Sequence, residues 1–211
     1  MEGFWFYWSL WLIIIAIFFF YVNSISRTKW LLAAFIIMIS ANFTLSLSMI
    51  TIKLPIIGIG LLSFSYIARL KLKDMFYTYF VVTLISGLFL LFHYFIYFEP
   101  VWLYISPLIS ITSLSIIVVI LFVKNNLNRL SIVCSGFIQG EVVLFLMLLE
   151  QSHIAAASYI LGDFFFLDVL AISMISLLCW NRIEYYMGEL GSKWNTSMFV
   201  KNQKSHRKIN A

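Results

Sequence analysis

Charged residues are scarce in this sequence: Asp, Glu, Lys and Arg together account for 11% of its 211 residues. A water-soluble domain averages about 25%. Hydrophobic residues make up 63% of the chain and only three prolines interrupt them, so helix breakers are rare in the apolar runs. A soluble single domain is therefore excluded, and the composition predicts a protein embedded in a membrane.

Cysteine is nearly absent as well. Cys134 and Cys179 stand in apolar stretches, which excludes a disulfide framework and a Cys/His metal cluster. Glu150 and His153 have the Glu-x-x-His spacing of carboxylate metal sites, but such sites need the motif twice and it occurs once. No phosphate loop, Ser/His/Asp set or His-Glu-x-x-His motif is present. We therefore predict no cofactor, no bound metal and no enzymatic activity.

Apolar runs divide the chain into seven segments, as its length allows at roughly 20 residues for each crossing. These runs lack the alternation of apolar and polar positions that barrel strands require. We therefore predict an all-α fold, a polytopic transmembrane helix bundle. Its seven spans are residues 4–22, 30–50, 54–68, 75–98, 101–123, 130–149 and 154–180.

The third span is the shortest of the seven. Its 15 residues give about 22 Å of helix, against a hydrocarbon core of about 30 Å. Pro55 stands where a first helical turn tolerates it, and Lys53 and Arg69 flank the span. We expect their long side chains to extend to the two interfaces, which favours a full crossing over a re-entrant segment.

Basic residues are distributed unevenly around these spans. If the connections alternate between the two sides, 13 of the 14 Lys and Arg residues fall on one side and Lys53 alone falls on the other. Basic loops remain in the cytoplasm. We therefore predict an outside N-terminus and a cytoplasmic C-terminus, with a transmembrane domain over residues 1–180 and a basic cytoplasmic tail over residues 181–211.

The end of the tail carries Lys201, Lys204, Arg207 and Lys208. Each basic group near an anionic leaflet contributes about 1 kcal/mol to attraction. We therefore expect the bilayer to be the main partner, with anionic lipid headgroups at the tail. The net charge of +5 is explained by orientation, and no nucleic acid partner is predicted.

Three acids stand inside the predicted spans: Glu141, Asp163 and Asp168. An ionised side chain at that depth costs at least about 2.5 kcal/mol, so such acids are the first candidates for function. Helical rise predicts Glu141 about 16 Å from the cytoplasmic end of the sixth span and Asp163 about 13 Å from the outer end of the seventh. We expect these two to face each other near the midplane as a proton or cation site, with Gln139 nearby and Asp168 pointing elsewhere, nearer the cytoplasm.

Small residues accompany the acids. Gly136 and Gly140 form a G-x-x-x-G motif in the sixth span, and Ser158 and Gly162 form an S-x-x-x-G motif in the seventh. Such motifs allow helix backbones to approach closely. We predict that the two motifs pack the sixth and seventh helices together.

Two functions explain these acids. The favoured interpretation is a membrane scaffold or regulatory protein, in which the acids are hydrogen-bonded and fix helix packing. The alternative is a small proton- or cation-coupled secondary carrier that uses Glu141 and Asp163 as paired carboxyls. The absence of discontinuous helices and paired halves weighs against the carrier.

A third interpretation is an intramembrane aspartyl protease. Residues 159–166, YILGDFFF, resemble the G-x-G-D motif of those enzymes. Ile160 replaces the first glycine, and Glu141 stands where a second aspartate is expected. These departures leave Gly162 and Asp163 as a two-residue match and weigh against protease activity.

The opening sequence MEGFWFYWSLWLIIIAIFFF, the Arg27 and Lys29 loop that follows it and the overall length resemble the YphA-type family. These are small multi-pass membrane proteins from spore-forming Gram-positive bacteria. The resemblance implies a protein of the bacterial cytoplasmic membrane. It implies no activity and supplies no functional residues.

Overall fold

A computed structural model describes residues 3–20, 24–47, 50–98, 106–124, 126–151 and 159–209. Within these residues the chain is almost entirely helical, as predicted, with three short strands added. The helices are α1 (Phe4–Phe20), α2 (Ser24–Ser40), α3 (Leu54–Ile67), α4 (Leu72–Phe98), α5 (Pro107–Phe122), α6 (Asn126–Gln151) and α7 (Phe164–Ile209), and the strands are β1 (Thr44–Leu47), β2 (Ile50–Lys53) and β3 (Ile160–Leu161).

Helix lengths fall into two groups. Three segments are long and apolar enough to cross a bilayer: Leu72–Ile96, Asn128–Glu150 and Phe164–Leu190. The helices α1, α3 and α5 are apolar but have only 14 to 17 residues, or about 21 to 26 Å. They are shorter than the hydrocarbon core of about 30 Å.

The predicted second span, residues 30–50, is wrong as a helix. Helix α2 ends at Ser40, and β1 and β2 form an antiparallel hairpin in which Thr44 lies opposite Lys53. The sequence of β1, TLSL, alternates polar and apolar residues, and β2, ITIK, is rich in β-branched residues. Both patterns favour strands, but a hydropathy average does not distinguish them from helix.

The predicted seventh span, residues 154–180, begins too early. Strand β3 pairs in parallel with β2, placing Ile52 opposite Leu161. Gly162 follows with a φ of +75°, a conformation that glycine adopts without strain. Helix α7 therefore begins only at Phe164.

The chain divides into two compact units, Met1–Ile175 and Ser176–Ala211. The second unit is helical as far as Ile209. The division between a membrane domain and a tail at residue 180 stays a prediction.

Helices α4 and α6 form the centre of the first unit, where Ile85, Phe89, Ile132 and Phe137 are fully buried. The small sheet packs beside the last turns of α6, with Leu161 buried against Phe145. Because β2 leads directly into α3 and β3 leads into α7, the sheet fixes where both helices begin. Large apolar side chains cover the outside of the unit, as expected for a surface that faces lipid.

Candidate functional site

Asp168 lies at the beginning of α1. One carboxylate oxygen, Oδ2, accepts a hydrogen bond of 2.9 Å from the N–H of Gly3, and Oδ1 accepts one of 2.7 Å from the N–H of Phe6. Gly3 directly precedes the helix, and Phe6 is its third residue. In a capping box these two N–H groups are satisfied by side chains of the helix itself. Here a single carboxylate from α7 satisfies both.

Close packing accompanies this contact. Gly3 has a φ of +85°, and a Cβ atom there would lie 2.8 Å from the Phe164 ring. The Lys53 ammonium lies 2.9 Å from the centroid of the same ring, and the Lys53 side chain is buried. The expectation that Lys53 extends to an interface is therefore wrong: its charge points inward, where an aromatic face attracts it.

Among the described residues, Glu141 is the most deeply buried acid, with 1% of its surface exposed. Its Oε1 atom accepts a hydrogen bond of 3.0 Å from the N–H of Gly162, and the Tyr159 hydroxyl is a second partner. Glu141 thus holds the turn between β3 and α7. Asp163, the next residue after Gly162, interacts electrostatically with Glu141; that the two acids form a proton or cation site stays a prediction.

Asp163 is the N-cap of α7. Its Oδ1 atom accepts a hydrogen bond of 2.8 Å from the N–H of Phe166, and its carbonyl accepts one from Leu167. The prediction that Asp163 lies about 13 Å inside a helix is therefore wrong, because the helix begins at the following residue. Asp168 stands in the second turn of α7, and its place nearer the cytoplasm than Asp163 stays a prediction.

His93 is a buried residue of this region that was not predicted as a site residue. Its Nδ1 atom lies 3.0 Å from the Phe89 carbonyl, and its ring packs on Phe89 at 4.2 Å between centroids. Asp163 interacts with it electrostatically. A lone histidine in a long apolar helix was the available signal, because polar side chains at that depth are expensive.

The remaining predicted site residues are placed differently. Gln139 is half-buried, but two residues before Glu141 on α6 it points to the opposite side of that helix. Ser158 and His153 lie outside the described residues. Gly162 is in a turn, where a Cβ would lie 3.2 Å from Ile56, so its assignment to a helix-packing motif is wrong.

Gly136 and Gly140 pack against α4 and not against α7. A Cβ atom on Gly136 would lie 2.7 Å from Ile85, and one on Gly140 would lie 2.8 Å from Phe89. The prediction of close packing through this motif therefore has the wrong partner helix. The sequence could not identify the partner, because several helices carry small residues.

The opposite end of the first unit contains a related arrangement at the end of α5. The Phe122 carbonyl accepts a hydrogen bond of 2.8 Å from the Tyr77 hydroxyl, and the Val123 carbonyl accepts one of 2.6 Å from Arg129 Nε. The last carbonyls of a helix have no partner within it. Side chains of α4 and α6 supply partners here, as Asp168 does for α1.

Residues 2–206 match the family of YphA-like integral membrane proteins. The chain belongs to this family. It is therefore an integral membrane protein, consistent with the bacterial cell membrane. A comparison with curated proteins gave no match, and neither did one with solved structures.

In this YphA-like protein the three acids of the predicted spans have the same role. Asp168, Asp163 and Glu141 each accept N–H groups at or just before the start of a helix. The start of a helix carries partial positive charge and unsatisfied donors. Within a membrane, where water is scarce, these donors need a partner from the protein. The arrangement is suited to holding the starts of α1 and α7 in place.

Proposed function

We propose that this protein is a non-catalytic membrane scaffold or regulatory protein, in which the buried acids hold the helices and move no ion. The observation that supports this is the use of all three acids by backbone donors. Hydrogen bonds to charged groups contribute about 1.5 to 3 kcal/mol each. A transported cation would have to replace them at every cycle.

The second candidate function is a small proton- or cation-coupled carrier. One observation favours it: Glu141 and Asp163 are neighbours, and Asp163 also faces His93 on α4. Asp163 thus interacts electrostatically with one titratable group on α6 and one on α4, and titratable groups that interact strongly lose their protons as a coupled set. This candidate ranks second because both carboxyls already accept backbone hydrogen bonds.

A flux measurement separates the two candidates. The native protein, Glu141→Gln and Asp163→Asn are reconstituted in vesicles with a pH gradient, and Glu150→Gln serves as an exposed control. A scaffold dissipates the gradient no faster than empty vesicles, while both site variants unfold at lower temperature than the control. Flux through the native protein that Glu141→Gln abolishes at unchanged Tm would establish the carrier.

We also propose that the protein has no enzymatic activity. The G-D pair of the protease motif is Gly162 and Asp163, and Asp163 uses Oδ1 to cap α7. An aspartate that shares a proton with a second acid needs its oxygens directed at the substrate. Proteolysis is therefore the least supported of the three interpretations.

Seven crossings with an outside N-terminus and a cytoplasmic C-terminus belong to the same proposal. The seven helices of the described residues support it, together with the one-sided distribution of Lys and Arg. The tail is proposed to contact anionic headgroups through Lys201, Lys204, Arg207 and Lys208. If the tail binds anionic headgroups, a peptide of residues 195–211 is expected to adsorb less strongly to vesicles in which phosphatidylcholine replaces phosphatidylglycerol.

A further inference from the structure

An apolar cavity of about 550 Å³ lies within the first unit, between α1, α2, α3, α6 and α7. Its volume is in the range of about 300 to 1,000 Å³ that small-molecule sites occupy. Trp30 and Leu62 form part of its wall while being 56% and 70% exposed. The cavity is therefore open to the surface of the bundle that faces lipid.

The cavity wall offers little to a polar ligand. Tyr66 directs its hydroxyl to Asn128 at 3.0 Å, and the Cys134 thiol lies 3.5 Å from the sulfur of Met174. Most other wall residues are aliphatic or aromatic. A water molecule needs two to four polar partners to remain in such a space, so the interior suits a hydrocarbon chain.

Basic side chains stand at one end of the cavity. Trp30 and Tyr66 contribute to the wall from α2 and α3, and the hairpin joins these helices at their other ends. Arg27 precedes Trp30 by three residues and so lies on the same face of α2, and Arg69 follows Tyr66 by three residues. Both are at least partly exposed. In the described part of the chain neither is paired with an acid, although Arg27 also lies 5.8 Å above the Phe18 ring.

We propose that this cavity is a binding site for one anionic glycerophospholipid. An acyl chain occupies the apolar space between α2 and α3, and the phosphate lies against Arg27 and Arg69. Arginine binds phosphate through paired N–H groups, which gives the site a preference for headgroup as well as chain. The site is independent of the buried acids.

A photocrosslinking experiment tests the proposal. The full-length protein is placed in nanodiscs with phosphatidylglycerol that carries a diazirine in its acyl chain, and crosslinked peptides are mapped. Crosslinks are expected on cavity residues such as Ser63, Cys134 and Met174, with unlabelled phosphatidylglycerol competing better than phosphatidylcholine. Even labelling of all lipid-facing helices would overturn the proposal, as would equal competition by the two lipids.

Variants locate the two parts of the site. The double variant Arg27→Gln/Arg69→Gln is expected to lower the preference for phosphatidylglycerol over phosphatidylcholine. The expected loss is about fivefold for each residue, because one basic group near an anionic lipid contributes about 1 kcal/mol. The matched control, Lys73→Gln with Lys124→Gln, removes two exposed charges from helix ends outside the cavity and should change nothing. An equal effect of both pairs would contradict a specific site.

Ala171→Phe fills the cavity from α7, and Leu114→Phe on the exposed face of α5 is its control. Loss of the cavity crosslinks in the first variant alone is expected. If Ala171→Phe fails to fold, the charge pair still decides the outcome, because Arg27 and Arg69 are not in the core. If a second copy or a partner helix covers the cavity, the lipid adducts will be missing from cavity residues while other lipid-facing residues are labelled, and that result would overturn the proposal.

Discussion

Asp168 is the clearest case of a residue whose role follows from its surroundings. In the sequence it is one of three costly intramembrane acids, and no pattern there indicates its partner. That partner is the start of α1, 165 residues away in the chain at Gly3. A local sequence pattern carries no information about a contact between residues so far apart in the chain. Sequence thus predicted which residues are unusual but not what they bind.

Asp168→Ala is expected to destabilise the protein by about 1 to 3 kcal/mol for each of the two donors left without a partner. For a chain of this size this lowers the Tm by about 2 to 4 °C per kcal/mol. Thermal unfolding in mild detergent, followed by tryptophan fluorescence, measures the change. Glu150→Gln, at an exposed acid, is the control and should stay within about 0.5 kcal/mol of the native protein. Equal stability of the two variants would contradict the capping role.

Gly3→Ala tests the other side of the same contact. Alanine in the left-handed conformation costs about 1 to 2 kcal/mol, and its Cβ would press on the Phe164 ring. Gly58→Ala on α3 is the control, since nothing lies within 4 Å of a Cβ there and alanine favours helix. We expect a lower Tm for the first variant and an unchanged or higher Tm for the second. A Tm for Gly3→Ala at or above that of the control would contradict the described geometry.

The sequence predicted most helices but neither the hairpin nor the start of α7, and each outcome has a physical reason. Apolar runs identified the helices because a membrane imposes internal backbone hydrogen bonds on every span. The hairpin between α2 and α3 was missed because a hydropathy average does not distinguish its short strands from the helix that precedes them. The start of α7 was missed because it depends on Gly162, whose positive φ has no signature in hydropathy.

Gly136→Ala tests the packing of α6 on α4. The added Cβ would lie 2.7 Å from Ile85 Cγ2 and 3.3 Å from the Val82 carbonyl, and overpacking of this kind costs about 1 to 3 kcal/mol. Gly87→Ala on α4, where nothing lies within 4 Å, is the matched control. A lower Tm is expected only for Gly136→Ala. If both variants are as stable as the native protein, the two helices do not approach as described.

At the scale of the whole molecule, the proposed orientation is open to direct measurement. In a background with Cys134→Ala and Cys179→Ala, Lys71→Cys and Lys201→Cys are expected to resist a membrane-impermeant maleimide in intact cells and to react after lysis. Ser106→Cys, before α5, should react without lysis, because an odd number of crossings separates it from the tail. Labelling of Lys71→Cys and Lys201→Cys from opposite sides would contradict seven crossings.

The hydrogen bonds from the start of α1 to Asp168 can form only at a late stage of synthesis. The first helix is synthesised long before residue 168 exists, so its leading N–H groups cannot meet that carboxylate while the intervening helices are being made. This end of α1 must wait for the arrival of α7. The N-terminal end of α1 is therefore locked only after α7 has entered the bundle.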